Sequence, residues 1–340
     1  MHHFPSTTSL TRRAVLTAAG GLTAAAALSL TPTAATASPR GYQNPVVPTN
    51  NPDPAVLAAD GAFFLYATNG AAGAMPVLTS PDLVEWTPVG NGMPQLASWC
   101  RPGRHWAPEV IAVGDRYLSY YTAWRADIDQ QAVSVAVSSS PAGPFVDERT
   151  APLIDQSAEG GSIDASPFRD ADGSLWLLWK NDGNHDGLPS YIYLQQLSDD
   201  GLELVGEPRR LFGMDQPYEK YTIEGASVVV HQGRYYCFYS TGEFWNDSYG
   251  VCWASAPSIT GPWTKEGDGP ILASNDVAAG SGHGMPIKVG PHWWYVYHAW
   301  QPDHVNQDPG RLVWLSRITF TGHGPVIDGP AVDNPFAPRV

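Results

Sequence analysis

The feature that most constrains this chain is a two-residue turn that recurs at a near-constant spacing. Each turn is followed by a segment rich in Tyr, Trp, Phe and Leu, which is typical of the second strand of a β-hairpin. The turns are Asp60-Gly61, Gly114-Asp115, Asp172-Gly173, Gln232-Gly233 and Gly290-Pro291. Their second residues are 54, 58, 60 and 58 positions apart. Five such units predict an all-β fold, a five-bladed β-propeller.

The residues eight or nine positions before these turns have distinctive side chains. They are Asp53, Trp106 with Ala107, Asp164, Glu224 and His283. In a propeller the innermost strand of each blade lines the central channel, so equivalent positions from different blades converge on one mouth of that channel. The sequence therefore predicts that three carboxyl groups, an aromatic ring and an imidazole face each other around the axis.

The two ends of the chain differ in composition. Residues 1–37 contain Arg12-Arg13, a small-residue apolar run to Leu30 and the small-x-small site Ala35-Thr36-Ala37, which is typical of an export signal. The paired arginines resemble a twin-arginine signal, with a plain secretory signal as the alternative. Either signal predicts a secreted, extracellular protein. Residues 38–340 are expected to form one propeller domain, because the period continues almost to the end. The strand that closes the ring is expected from the N-terminal segment or the C-terminal tail.

Charge and cysteine content narrow the classes of partner. The formal net charge is −14, and it becomes −16 when Arg12 and Arg13 leave with the signal. An acidic chain without a basic run argues against nucleic acid and anionic membranes, and favours a neutral, hydroxyl-rich substrate. Cys100, Cys237 and Cys252 are too few for a disulfide scaffold or a zinc site, and a bridge between Cys237 and Cys252 stays open. We expect a monomer without an organic cofactor.

Five short motifs follow one another at the blade spacing. They are Asn51-Pro52-Asp53-Pro54, His105-Trp106-Ala107-Pro108-Glu109-Val110, Ser162-Ile163-Asp164-Ala165, Glu224-Gly225-Ala226-Ser227 and Gly280-Ser281-Gly282-His283-Gly284. In this order they make the chain from about Asn44 to Pro330 resemble glycoside hydrolase family 43, a family of five-bladed propeller glycosidases.

The resemblance implies catalytic roles for the three acids. Asp53 would be the general base, Glu224 the general acid, and Asp164 a third carboxylate that orients the acid and raises its pKa. Glycoside hydrolysis independently needs one protonated and one ionised carboxyl group. The family is inverting, so the acid and the base are expected roughly 6.5–9.5 Å apart.

The resemblance also implies roles for four further residues. Trp106 would stack on a sugar ring, with a core position as the alternative, and Arg311 would contact substrate or a catalytic carboxylate unless it is a surface arginine. His283 would hold a Ca²⁺ ion through water in the channel, or water alone. The sequence Gly284-Met285-Pro286 after His283 departs from the polar residues common in the family, which weakens this ion site. Glu109 belongs to a family motif, with a structural role as the alternative.

The chain shows no sign of the additional β-sandwich found in many β-xylosidases of the family. We therefore expect a secreted inverting hydrolase of arabinose-containing plant polysaccharides or oligosaccharides, an α-L-arabinofuranosidase or an arabinanase. The alternatives are a β-D-xylosidase and a carbohydrate-binding propeller without activity. The retaining fructan hydrolases that share this fold have a Cys after the acid, where this chain has Gly225.

Overall fold

The computed structural model describes residues 41–339, so the predicted export signal at residues 1–37 lies outside the described residues. Five antiparallel sheets follow one another along the chain, and each sheet is built from consecutive strands. Four sheets have four strands and the second has three. Each sheet corresponds to one sequence unit, so the predicted all-β, five-bladed β-propeller is confirmed.

The strands are named in chain order. A short strand, β1 (Tyr42–Gln43), precedes the blades and pairs with β21 (Asp333–Asn334). Blade 1 contains β2 (Ala55–Ala59), β3 (Ala62–Tyr66), β4 (Pro76–Ser80) and β5 (Thr87–Asn91). Blade 2 contains β6 (Trp106–Val113), β7 (Arg116–Trp124) and β8 (Gln131–Ser138). Blade 3 contains β9 (Ser162–Arg169), β10 (Leu175–Asn181), β11 (Tyr191–Leu197) and β12 (Leu204–Gly213). Blade 4 contains β13 (Ile223–His231), β14 (Arg234–Thr241), β15 (Gly250–Ala256) and β16 (Thr264–Glu266). Blade 5 contains β17 (Ala279–Val289), β18 (His292–Trp300), β19 (Leu312–Thr321) and β20 (Gly324–Ile327).

The first two strands of every blade are joined at the turn that the sequence predicted. In blades 1 and 4 both turn residues have positive φ, with 53° and 76° at Asp60-Gly61 and 50° and 78° at Gln232-Gly233. These values are typical of type I′ turns, whose twist matches that of the flanking strands. The local turn chemistry therefore sets the register of the innermost hairpins.

Helix is scarce in the described residues, as expected. The helices there are three short 3₁₀ turns, Ser157–Glu159, Asn184–Asp186 and Pro302–His304. Within residues 41–339, none of the helices has the length and apolar character needed to span a membrane. The three cysteines are free, and Cys237 lies opposite Ala254 rather than opposite Cys252.

The inner strand of every blade is distorted at the same place, near the mouth of the channel. One residue in each blade has a left-handed backbone: Asp53 (φ 55°), Ala107 (42°), Asp164 (58°), Gly225 (57°) and His283 (39°). In blades 2 to 5 this residue lies in a break in the pairing register with the second strand. Such bulges redirect side chains. The equivalent position in blade 4 is Gly225, so Glu224 lies one residue earlier than the other acids.

Hydrogen bonds between neighbouring blades support all five positions. Each bond runs from the backbone N–H of the left-handed residue to a side chain of the preceding blade. At Gly225 the acceptor is Asp164 Oδ2 of blade 3, whereas in the other four the acceptor side chain lies on or next to the second strand of the preceding blade. These four pairs are Asp53 N to His298 Nδ1 (3.1 Å), Ala107 N to Thr68 Oγ1 (2.9 Å), Asp164 N to Thr122 Oγ1 (3.1 Å) and His283 N to Ser240 Oγ (2.8 Å). We call these four bonds the inter-blade belt. The belt holds the inner strands in register with one another around the axis.

The N-terminal segment closes the ring by pairing with blade 5, although it adds no full strand to that sheet. Val47 forms an antiparallel bridge with Val313 of β19, and the Asn51 N–H bonds the Arg311 carbonyl. These contacts agree with the expectation that the N-terminal segment takes part in closure, but the four strands of blade 1 and of blade 5 each come from one stretch of the chain. Tyr42 donates its hydroxyl to the Leu315 carbonyl (2.7 Å), and the Asn44 side chain bonds both the N–H and the C=O of Leu315. Phe63 and Leu65 of blade 1 belong to one apolar cluster with residues of blade 5. This contact buries the edges of the first and last blades against each other.

Candidate active site

A cavity of about 370 Å³ lies at the mouth of the channel. Six residues that the sequence singled out line it: Asp53, Trp106, Asp164, Glu224, His283 and Arg311; Glu109 does not. These residues come from all five blades, so only the closed ring brings them together. Arg104, Asp129, Lys180, Asp182, Tyr221, Phe244 and Trp245 complete much of the wall.

Asp53 is buried at the start of blade 1 and is held by cations and a hydroxyl. Arg311 Nη1 donates to Asp53 Oδ1 at 2.7 Å, His283 Nδ1 lies 3.3 Å from the same oxygen, and Thr68 donates to Oδ2 at 2.5 Å. Burial alone would raise the pKa of Asp53, but the charges of Arg311 and His283 outweigh it. They hold this pKa well below its usual range. Asp53 is therefore ionised at neutral pH.

His298 supports Asp53 from below, and sequence reasoning missed it. Its Nδ1 accepts the Asp53 N–H, and its ring is stacked parallel to that of Tyr249. Burial, followed by the charge of Arg311, lowers the pKa of His298 to about 3, so the ring is neutral and can accept this hydrogen bond. His298 occupies the position that Thr122 and Ser240 occupy in their blades, and the changing residue type hides this equivalence in the sequence.

Asp164 and Glu224 form a close pair of buried carboxyl groups. One oxygen of each, together with a ring nitrogen of His283, lie within 4.8 Å of one another. Asp164 Oδ2 accepts the N–H of Gly225, the residue that follows Glu224, at 3.2 Å. Burial raises the pKa of Asp164 to about 7, and the charge of Glu224 adds to this while His283 opposes it. Two buried carboxyl groups this close retain a proton at pH values where an isolated carboxyl has lost it.

Glu224 is held at both oxygens. Tyr249 donates its hydroxyl to Oε1 at 2.7 Å, and Lys180 Nζ lies 3.4 Å from Oε2. Neither partner was identified from the sequence, because Lys180 lies in the otherwise core-forming strand β10 and Tyr249 directly precedes β15 without a motif of its own. A Cβ atom at Gly225 would lie 3.0 Å from the ring of His283, and φ there is +57°. Gly225 thus lets Glu224 and His283 share one side of the cavity.

His283 is a cation among the acids. Its Nδ1 lies 3.3 Å from Asp53 Oδ1 and 4.0 Å from Asp164 Oδ2. Burial works to lower the pKa of His283, but the charges of Asp164, Asp53 and Glu224 outweigh it, so this pKa is raised. The protonated imidazole therefore links Asp53 to the Asp164–Glu224 pair.

Aromatic side chains form part of the cavity wall. Trp106 is half-buried there, as a stacking platform requires. The ring of Trp245 in blade 4 packs edge to face against the rings of Phe244 and Tyr221, with the centroids 4.9 Å apart in both pairs. Phe244 and Tyr221 remain 39% and 36% exposed. Single aromatic residues in loops carry no periodic signal, so the sequence analysis did not identify this group.

Four residues lie two positions after a left-handed residue, on the inner strands of blades 2 to 5. They are Glu109, Ser166, Ser227 and Met285. Ser166 donates to Glu109 Oε2 at 2.8 Å. Burial raises the pKa of Glu109 to about 7, partly offset by Ser166 and His283. Met285 Sδ accepts the Val56 N–H at 3.0 Å, which gives the departure from the family pattern a structural role.

A five-bladed propeller with buried carboxyl groups under an aromatic-walled cavity has the parts that a glycoside hydrolase needs. Residues 42–325 match Glycosyl hydrolases family 43, and the chain belongs to this family. The protein is therefore an enzyme that hydrolyses glycosidic bonds, and the hydrolase interpretation of the sequence is confirmed.

Relatives of known name show a range of activities within the family. The chain is 28% identical over 301 residues to the β-D-galactofuranosidase xynD of Aspergillus niger, covering 84% of each chain. It is 25% identical to the extracellular endo-α-(1→5)-L-arabinanase 2 of Bacillus subtilis, covering 65% of this chain and 51% of the arabinanase. A crystal structure of a thermostable family-43 glycoside hydrolase superimposes with a TM-score of 0.80 at 31% identity, covering 88% of this chain and 99% of the other.

The raised pKa of Glu109 predicts a pH-dependent loss of stability that Glu109→Gln removes. The unfolded chain loses this proton near pH 4.5, whereas the folded chain keeps it up to about pH 7. Between these values the free energy of unfolding falls as pH rises, because the folded state binds more protons. By thermal unfolding we expect the variant to melt a few degrees above the wild type at pH 8 and to differ little at pH 4. A variant that melts lower at pH 8 would contradict this.

Proposed function

We propose that the protein is an exported, inverting glycosidase that acts on α-L-arabinofuranosyl residues of plant polysaccharides or oligosaccharides. The observation that carries the proposal is that one cavity holds two carboxyl sites in opposite electrostatic settings. Asp53 is paired with a guanidinium at 2.7 Å, whereas Glu224 belongs to a buried pair of acids. Export rests on the signal predicted in residues 1–37, and N-terminal sequencing of secreted protein checks it.

In the proposed mechanism Asp53 accepts a proton from water, whose oxygen then attacks the anomeric carbon. The bond from that carbon to the leaving oxygen breaks on the opposite face, and Glu224 gives its proton to this oxygen. The cation contacts support ionised Asp53 as the base. Asp164 orients the acid through the Gly225 N–H and keeps a proton on the pair by like charge.

Substrate contacts follow from the cavity wall. Trp106 offers an aromatic face to a sugar ring, and such faces suit the C–H groups of carbohydrates. Arg311 lies at the edge of the cavity, binds Asp53, and has its guanidinium 4.9 Å from the Phe244 ring centroid. It therefore holds the base and is available to substrate hydroxyls.

The preference for furanosides is supported by relatives named for activity on arabinan and on galactofuranosides. Product analysis on arabinan, arabinoxylan and xylo-oligosaccharides tests it, with Glu224→Gln as the inactive control. We expect arabinose or arabino-oligosaccharides from the wild type. Release of xylose from xylo-oligosaccharides, with no product from arabinan, would instead establish the β-D-xylosidase alternative.

The roles of the two acids predict different responses to the leaving group. Glu224→Ala should reduce kcat/KM on natural linkages by roughly 10²–10⁴-fold, the usual contribution of a general acid. It should cost much less on activated aryl glycosides, which need little protonation. Asp53→Ala should abolish turnover of both, because water attack is lost. Steady-state kinetics on a series of aryl leaving groups measures the difference.

Rescue by azide and product stereochemistry provide the control for this assignment. Azide should restore some turnover to Asp53→Ala, and NMR of early product should show inverted anomeric configuration in the wild type. Retained configuration, or a covalent glycosyl-enzyme trapped in the Asp53 variant, would refute the inverting mechanism.

We also propose that Ca²⁺ is held beside His283 through water, with the imidazole giving up its proton when the ion binds. His283 lines the cavity, where water would supply the oxygen ligands that this ion prefers. Arg311, Lys180 and His283 already offset the acids, so the ion would support the fold of the channel. We expect chelation to lower both the thermal midpoint and kcat, and His283→Ala to remove this sensitivity. An unchanged kcat in both experiments would exclude the ion.

A further inference from the structure

The inter-blade belt has one break, and the residue there is Lys180. In each blade, one residue on or next to the second strand lies opposite the start of the inner strand and can contact the next blade. Among these residues are Thr122 opposite Trp106, Ser240 opposite Glu224 and His298 opposite Gly282. In blade 3 the corresponding pair is Ile163 with Lys180. The four residues of the belt offer an acceptor atom to an N–H group of the following blade. A protonated lysine has no acceptor atom. The N–H of Gly225 bonds Asp164 instead.

The ammonium group of Lys180 is buried beside Glu224. Its side chain is 1% exposed, and Nζ lies 2.7 Å from Asn184 Oδ1, 3.4 Å from Glu224 Oε2 and 3.6 Å from Asp182 Oδ1. Burial works to lower the pKa of Lys180, but the charges of Glu224 and Asp182 outweigh it and raise this pKa. Because burying a charge costs much free energy, a lysine at a position filled elsewhere by Thr, Ser or a neutral His needs an explanation.

Resting on the proposed acid role of Glu224, we propose that Lys180 is a positioning residue for this acid. Its ammonium holds Oε2 while the Tyr249 hydroxyl holds Oε1, so the carboxyl group keeps one orientation. When the proton passes from Glu224 to the leaving oxygen, a carboxylate forms beside a positive charge that is already in place. No other group has to move to stabilise it.

The two cation contacts differ in a way that suits the two roles. Arg311 approaches Asp53 Oδ1 at 2.7 Å, a full charge-assisted hydrogen bond that favours permanent ionisation. Lys180 stays 3.4 Å from Glu224 Oε2 and makes its short bond to Asn184. The longer contact holds the carboxyl group of Glu224 in place without a short charge-assisted hydrogen bond. The cation is therefore already beside the carboxylate that forms when the proton is transferred.

The test uses three variants and a leaving group that needs protonation. Lys180→Met and Lys180→Gln remove the charge, and the glutamine keeps a donor for Asn184; Lys180→Arg keeps the charge. In the neutral variants we expect the alkaline limb of the kcat/KM profile to move up by about one pH unit, because the positive charge beside the Asp164–Glu224 pair is then missing. We expect kcat at the optimum to fall about tenfold. In Lys180→Arg the limb should stay in place.

The other titratable groups that face Glu224 are unchanged in these variants, so the shift reports on position 180. They are Asp53, Asp164, Asp182, Tyr249 and His283. Lys265→Met is the matched control, because Lys265 is 4% exposed and pairs with buried Glu219 at 2.6 Å among residues that do not line the cavity. It should lower the thermal midpoint and leave the alkaline limb unmoved.

An unmoved limb in Lys180→Gln, with a loss of stability like that of Lys265→Met, would overturn the proposal and leave Lys180 a structural residue. Lys180→Gln decides the matter if the methionine variant fails to fold. Failure of the proposed function is recognised separately. In that case Glu224→Ala keeps its activity on natural linkages, whatever happens at position 180.

Discussion

Hydrogen bonds between neighbouring blades are the constraint on which the site depends. Each inner strand begins with a left-handed residue, a conformation that costs free energy for any residue except glycine. The inter-blade belt gives the N–H of four such residues an acceptor in the preceding blade. These bonds tie neighbouring blades together near the start of their inner strands. Asp53, Asp164 and His283 are three of the residues whose N–H groups they hold.

The charges at the axis are balanced within the chain. Asp53, Asp164, Glu224 and Asp182 are opposed by Arg311, Lys180 and His283, and all of these residues line the same cavity. Buried charges are tolerated when they are paired and hydrogen-bonded. The cations are distributed unevenly among the acids. Catalysis by two carboxyl groups requires this, because one must be ionised and the other protonated. Arg311 holds Asp53 ionised, whereas the Asp164–Glu224 pair is crowded enough to keep a proton.

The period of the turns was sufficient to predict the propeller. An Asp-Gly or Gln-Gly turn with positive φ at both residues is a local property, and five of them at near-equal spacing leave few alternatives to five blades. The same spacing placed Asp53, Asp164 and His283 correctly at equivalent positions. It also selected Glu224, which lines the same cavity, although the left-handed residue of blade 4 is Gly225. Which of two adjacent residues takes the left-handed backbone cannot be read from a turn-to-turn count.

The sequence by itself determined the blade number, the three acids and the cavity residues Trp106, His283 and Arg311, because each follows from local turn chemistry or from short motifs. Only the tertiary structure decided how these groups are charged and held. Lys180, Tyr249 and His298 act on the acids from neighbouring strands and blades, and their partners are 44, 25 and 245 positions away along the chain. Ring closure was decided there too, since Asn44 reaches Leu315 only when the first and last blades meet. Local patterns encode strands and turns, whereas electrostatics and closure depend on distances that exist only in the folded ring.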